Sequence, residues 1–266
     1  MDVQQHFQAG KLEDAVQAAI DAVKKKPSET GLRALLAELL CFAGDLERAD
    51  KHLDAVQTQD PETAVSLSLI RQLVRGETSR REFFRDGRVP EFLELPTEVA
   101  RMHLQASIEL REGNVAEAAR LLTEAEEKRV RVHGECDGKA FDDFRDLDDV
   151  TSAFFETVTS TGKYYWIPIE SVELIEFRPP EYPRDLYWRR CRMVVRGGPD
   201  GEVFLPAIYA GTEAETDNAL KLGRATDWRG NEGQPVRGIG QRTFLVGDED
   251  RPIMELQEIT FAAPGS

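Results

Sequence analysis

Residues able to do chemistry are few and scattered in this chain. The four histidines are His6, His52, His103 and His133, and the three cysteines are Cys41, Cys136 and Cys191. His133-Gly-Glu-Cys136 brings two zinc-type ligands close together, but a structural zinc takes four and no second pair stands elsewhere. Asp142, Asp143, Asp148 and Asp149 crowd one stretch. They lack the alternating ligands, central glycine and terminal glutamate of a calcium loop, and so read as a solvated acidic face or as salt-bridge partners. Gly238-Ile-Gly240 is a fragment of a dinucleotide fingerprint without its third glycine or its strand-then-helix setting, and reads as a turn. Neither a nucleophile elbow, a phosphate-cradling glycine loop nor a metalloprotease helix occurs. The inventory predicts no catalytic residue, cofactor or metal, hence a protein that is not an enzyme.

The densest polar motif is Pro183-Arg-Asp-Leu-Tyr-Trp-Arg-Arg190. In one reading Arg184 or Arg190 pairs with Asp185 or Asp227, while Trp166, Trp188 and Trp228 fill a small core. In the other, Arg184, Arg224 and Arg242 converge on an anionic group such as a partner carboxylate or phosphate. The first is preferred, because a small β domain needs its aromatic residues for stability before it can display anything. These eight residues, Trp166, Arg184, Asp185, Trp188, Arg224, Asp227, Trp228 and Arg242, are the candidates for an interaction or domain-defining role.

The elements that carry them follow from a repeat. Gly10-Lys-Leu-Glu-Asp-Ala15 recurs as Gly44-Asp-Leu-Glu-Arg-Ala49, and Pro27 recurs as Pro61, both at an offset of 34 residues. That is the tetratricopeptide period. The glycine permits the tight turn between two helices, the alanine lets them approach, and the proline ends the second helix. Gly113-Asn-Val-Ala-Glu-Ala118 is a third copy, which carries the helical-hairpin reading to about residue 130. A helix through Val65, Leu69, Ile70 and Leu73 should end near Gly76. From Glu77 to Pro96 the periodicity weakens, and Phe83, Phe84, Phe92 and Leu93 suggest a strap over the stack or a mobile docking segment. Stacked hairpins leave a curved trough that suits an extended or helical peptide. Phe141 to Val158, with Phe154 and Phe155, reads as an acidic helix with an apolar stripe.

After Gly162 the texture changes to short apolar runs broken by Pro, Gly and Asp. Strands are expected at 164–167, 172–177, 191–195, 203–205, 243–246 and 253–261, with a hairpin turn at Gly197–Gly201. The fold expected is α+β in two domains: a tetratricopeptide-like helical-hairpin solenoid over 1–160, then a small, mostly antiparallel β-rich domain over 161–266.

The formal net charge is −15. Residues 1–160 hold 21 basic and 32 acidic side chains, a net of −11. This balance argues against nucleic acid and anionic membrane as partners and favours a basic one. Three cysteines without paired spacing fit a reducing compartment. With no secretory start and no membrane-length apolar run, a cytoplasmic location is expected.

Six segments in order resemble one family: Arg145-Asp-Leu-Asp-Asp149, Gly162-Lys-Tyr-Tyr-Trp-Ile-Pro168, Pro183-Arg-Asp-Leu-Tyr-Trp188, Leu205-Pro-Ala-Ile-Tyr209, Leu222-Gly-Arg-Ala-Thr-Asp-Trp228 and Gly238-Ile-Gly-Gln-Arg242. Together with the degenerate repeats they are similar to the ImpE/TagJ family, accessory proteins of the bacterial type VI secretion system. The resemblance implies a non-catalytic cytoplasmic adaptor. Its partners would be the N-terminal helix of the small contractile-sheath subunit, held in the trough, and the AAA+ ATPase that dismantles the sheath, with the C-terminal domain docking a second component or holding a homodimer together. Two alternatives remain open from the residues: an enzyme of unknown chemistry around Arg184, Asp185, Arg224 and Asp227, and a secretion chaperone that shields an effector.

Overall fold

Leu12, Ala15, Ala19 and Val23 are the buried positions of one helix, and their three-to-four-residue spacing is the stripe an amphipathic helix turns toward a neighbour. A computed structural model of the chain describes residues 1–59 and 64–263, and in it this pattern recurs down the N-terminal half. The helices are α1 (Val3–Gln8), α2 (Leu12–Lys25), α3 (Thr30–Phe42), α4 (Leu46–Gln59), α5 (Ala64–Asp86), α6 (Glu98–Glu112) and α7 (Val115–Lys128). The repeat markers sit where the sequence places them. Gly10, Gly44 and Gly113 all have left-handed φ, between 76° and 86°, a region closed to most side chains. Ala15, Ala49 and Ala118 are each 0 % exposed. Pro61 lies outside the described residues. Helices α1 to α5 pack in succession, whereas α6 packs chiefly on α7, so the third copy forms a separate hairpin.

Helix α5 does not stop near Gly76. It runs on for three turns to Asp86, and Gly76 marks a close approach: a Cβ there would lie 2.3 Å from Val158 Cγ1. The glycine is a contact point between helix and sheet, not a terminator. Only residues 87–96 form the irregular strap.

The chain then forms β1 (Gly134–Cys136), β2 (Lys139–Phe141), β3 (Phe144–Asp146), β4 (Phe154–Thr159), β5 (Tyr164–Pro168), β6 (Val172–Phe177), β7 (Trp188–Val195), β8 (Asp200–Pro206), a single helical turn α8 (Asn218–Lys221), β9 (Thr226–Arg229), β10 (Arg237–Gly240), β11 (Thr243–Val246), β12 (Glu249–Pro252) and β13 (Glu258–Phe261). An antiparallel eight-stranded sheet has the order β2-β1-β13-β6-β7-β8-β4-β5, and a three-stranded sheet the order β12-β11-β3. The β7–β8 hairpin turns at Gly197 as expected.

The acidic helix expected over 141–158 is absent. Its place is taken by β3, an aspartate-rich turn and β4. The apolar run at Phe154–Phe155 is a strand buried on both faces: Phe154 and Val158 join the core shared with the helices, and Phe155 joins the core between the two sheets. A strand covered on both sides has no polar alternation, so its pattern mimics a buried helix. Gly238-Ile-Gly240 is likewise strand β10 and not a turn. A Cβ at Gly238 would fall 2.2 Å from the Tyr209 ring, so the glycine makes room for the tyrosine.

Helix propensity alone predicts that Gly76→Ala stabilises the protein by about 1 kcal/mol. The contact with Val158 predicts the reverse, a loss of about 1–3 kcal/mol from overpacking. Urea unfolding should show destabilisation, relieved in Gly76→Ala/Val158→Ala; a stabilised single variant would refute the contact.

Candidate functional site

The charged side chains with no counterpart on the surface meet where α5 crosses β4. Strand alternation turns Glu156 toward the helices, and Arg80, one turn beyond Gly76, faces it. Arg80 grips Glu156 with two bonds, Nε to Oε1 at 2.9 Å and Nη2 to Oε2 at 3.0 Å. Its remaining donors go to Glu77 Oε1 at 3.2 Å and the Ile208 carbonyl at 3.1 Å. From the far end of the chain Arg242 donates to Glu156 and Asp146 and to the Pro206 carbonyl at 2.9 Å. The Tyr164 hydroxyl donates to Glu156 and accepts from Trp166 Nε1 at 2.6 Å. Trp188 Nε1 reaches Glu77 at 3.3 Å, and Arg81 bonds the Tyr187 hydroxyl and the Gly44 carbonyl at 3.0 and 2.7 Å.

All five central charges, Glu77, Arg80, Asp146, Glu156 and Arg242, are buried. Burial resists ionisation of Glu156, but Arg80 and Arg242 outweigh it and hold its pKa down at about 2. Burial dominates at Asp146 and pushes it up to about 6 against the pull of Arg242. The Tyr209 hydroxyl lies 2.8 Å from Asp146. A set of charges so fully bonded to one another acts as a clamp between helix and sheet.

Of the eight candidates only Trp166, Trp188 and Arg242 lie in this interior. Trp166 is buried and stacked on Phe154 with ring centroids 4.9 Å apart. Trp188 is buried too, but Trp228 is 39 % exposed. Arg184 pairs with Glu38 of α3, Nη1 to Oε1 at 2.6 Å, and Arg190 with Glu202 at 2.6 Å. Asp185 accepts from the Glu181 and Tyr182 amides, both at 2.9 Å. Arg224 donates to the Phe7 and Gln8 carbonyls at 2.7 and 2.9 Å, where the negative end of α1 favours a cation. Asp227 is exposed and bonds the Trp228 amide. The three arginines therefore do not converge; Arg184 does pair with the expected Asp185 at 4.0 Å, but Glu38 is its closer contact. Glu38, Glu77, Arg80 and Glu156 went unrecognised. Their one signal in the sequence is the Glu77 to Arg81 charge cluster, which lies beyond the helix end expected near Gly76.

The remaining groups are also settled. His103 is buried, its Nδ1 lies 3.0 Å from the Val150 carbonyl, and burial lowers its pKa to about 4. His133 is exposed while Cys136 is buried, so they face apart. Three of the four crowded aspartates are ion-pair partners: Asp143 of Arg129, Asp148 of Arg237 and Asp149 of Arg145. Among the described residues no group of three His, Cys, Asp or Glu side chains could hold a metal ion, and no helix is long and apolar enough to cross a membrane.

The trough expected along α1, α3 and α5 is not open. Arg184 and Tyr187 lie against α3, where Tyr187 meets Phe42 with ring centroids 5.1 Å apart; Arg224 covers the end of α1, and β4 covers α5. The chain itself fills that face. Surface hollows remain elsewhere, among them one beside α5 and one beside the strap. One, of about 850 Å³, lies between the start of α4 and the second half of α5 and is lined by Asp45, Glu47, Asp50, Lys51, Arg75 and Arg85 among others. The other, of about 380 Å³, lies under the strap and is walled by Phe92, Leu95, Pro96, Pro168, Val195 and Pro199.

Comparison with known proteins places this architecture. The family profile described as ImpE protein matches residues 138–260, and a tetratricopeptide repeat profile matches residues 6–73. The type VI secretion system accessory component TagJ of Pseudomonas aeruginosa strain PAO1 is 30 % identical over 261 residues, 98 % of this chain and 91 % of that protein. This chain belongs to the ImpE/TagJ family. A crystal structure of protein VPA1032 from Vibrio parahaemolyticus superposes with a TM-score of 0.92 at 27 % identity, covering 99 % of this chain and 98 % of that one. The ImpE profile begins just after β1, so β2, β3 and β4 lie inside the matched segment and β1 outside it.

Glu156→Gln keeps the shape of the clamp and removes its central charge, and should destabilise the protein by about 3–5 kcal/mol. Because the folded pKa of about 2 lies below the ordinary 4.5, the Glu156 contribution is present above that ordinary value and is lost as pH falls toward the folded one. Asp146 acts in the opposite sense, its contribution being lost as pH rises through about 6. Unfolding free energies from pH 5 to 2 should show an acid-sensitive limb in the wild type that flattens in the variant; equal slopes would refute the assignment.

Proposed function

We propose that this protein is a non-catalytic, cytoplasmic accessory factor of a type VI secretion system. It acts as an adaptor that binds the N-terminal helix of the small contractile-sheath subunit and assists the AAA+ ATPase that dismantles the sheath. The observation that carries this reading is the 30 % identity to TagJ across 98 % of the chain. The interior supports it, since the groups best suited to catalysis are spent on one another: Arg80, Glu156, Asp146 and Arg242 in the clamp, Arg184 on Glu38 and Arg224 on backbone carbonyls. Of the four residues of the enzyme alternative, Arg184 and Asp185 lie 4.0 Å apart, while Arg224 and Asp227 serve separate partners. A net charge of −15 further suits a partner segment that carries basic residues. Because the face of α1, α3 and α5 is filled, the partner helix docks on the outer surface.

Pull-downs with purified small sheath subunit test the proposal. Full-length subunit should be retained, and deletion of its first helix should weaken binding at least tenfold. Equal capture of the truncated subunit would overturn the helix as the determinant, and capture of neither would overturn the adaptor role.

A further inference from the structure

The strap is held firmly from within yet points leucines outward. Glu91 pairs with the edge strand β5, its amide donating to the Tyr164 carbonyl at 2.9 Å and its carbonyl accepting from the Trp166 amide at 3.1 Å. Phe92 packs edge-on against Trp166 at 6.4 Å. At the far end Arg101 holds the Pro96 carbonyl at 2.7 Å, and Thr97 caps α6. Between these anchors Leu93 is 42 % exposed and Leu95 is 92 % exposed. A loop this well tethered has no need to present two leucines to water, and exposed apolar groups rimming a hollow mark an interaction surface.

The hollow behind them is small. At about 380 Å³ it sits near the lower end of the range for built binding sites, roughly 300–1,000 Å³. That is room for a few anchoring side chains and not for a whole helix. Its walls mix apolar residues with Thr97 and Ser171, and two carboxylates and one guanidinium stand at its edge. Glu94 and Glu170 line it, and neither enters an ion pair among the described residues; Glu170 is met by the Val130 backbone amide. The cation alongside, Arg196, is engaged by the carbonyls of Phe261 and Ala262. The larger hollow beside α4 offers the opposite environment. Its two aliphatic residues, Leu46 and Val74, are buried, and its charges pair internally as Lys51 with Glu47 and Arg85 with Asp86.

We propose that the strap hollow is where the partner helix docks, and that it takes a short amphipathic helix which sets two or three apolar side chains between Leu93, Leu95 and Pro199 and carries Lys or Arg on the flank facing Glu94 and Glu170. The proposal rests on the adaptor reading and adds its location and chemistry. Apolar anchors at helical spacing supply affinity, and the carboxylates select a basic flank.

The probe is a fluorescently labelled synthetic peptide of the small sheath subunit's first helix, titrated with the full-length protein and followed by anisotropy. Leu93→Asp and Leu95→Asp should each weaken binding at least tenfold without changing the unfolding temperature, as both side chains lie at the surface. Glu94→Gln should weaken it a fewfold and reduce its salt dependence, and Arg75→Glu in the larger hollow should leave it unchanged. Wild-type affinity in both leucine variants would overturn the location while leaving the adaptor role standing. Failure of the wild-type protein to bind either the peptide or the intact subunit would sink both. If the leucine variants instead convert a dimer to a monomer in light scattering with peptide binding intact, the hollow is a self-interface and the proposal falls.

Discussion

Two guanidinium groups sharing one buried carboxylate hold this protein in its shape. Arg80 comes from the helical half, Glu156 from the strand beneath it and Arg242 from near the C-terminus. Each would be a severe liability alone, because an unpaired buried charge is far less stable than one in water. Their mutual satisfaction requires α5 to lie against β4 in one register and β11 to approach from the other side. Gly76 makes that approach possible by removing the one side chain that would separate helix from strand. A shifted docking of the halves would leave at least one of these ions without its partner, so the clamp penalises alternatives more than it rewards the native arrangement.

The clamp also shapes what the molecule can do. Arginine and acid pairs often signal catalysis or anion binding, and in the clamp they are turned inward and bonded to one another. The same economy operates at the secondary contacts, where Arg184 meets Glu38 and Arg224 meets the end of α1. Helices and sheet thereby become one unit with a shared core. The face that many helical-repeat proteins keep open for a ligand is occupied by the chain's own second half. The strap is thereby held in fixed relation to the helices and the sheet together.

Much of the local structure was legible from residue order. The 34-residue phrase located the turns at Gly10 and Gly44, because only a residue without a side chain closes such turns easily, and the alanines at 15, 49 and 118 marked where helices touch. The strands at 172–177 and 243–246 and the hairpin at Gly197 followed from β-branched runs bounded by turn formers. The errors share a cause. Phe154 and Phe155 lie on a strand buried on both faces, and Gly76 lies inside a helix pressed against that strand, so in each case a local cue was overruled by what lies across the interface.

Residue order alone determined that the chain would begin as helical hairpins and end as an antiparallel β-rich region, since those features rest on spacings of a few residues. Tertiary structure alone decided the partner of every important charge. Arg80 and Glu156 are 76 residues apart and Arg184 and Glu38 are 146 apart, and no periodicity reports such separations. It also decided that the trough is filled and that Leu95 faces water, because exposure is a property of the packed whole and not of any one segment.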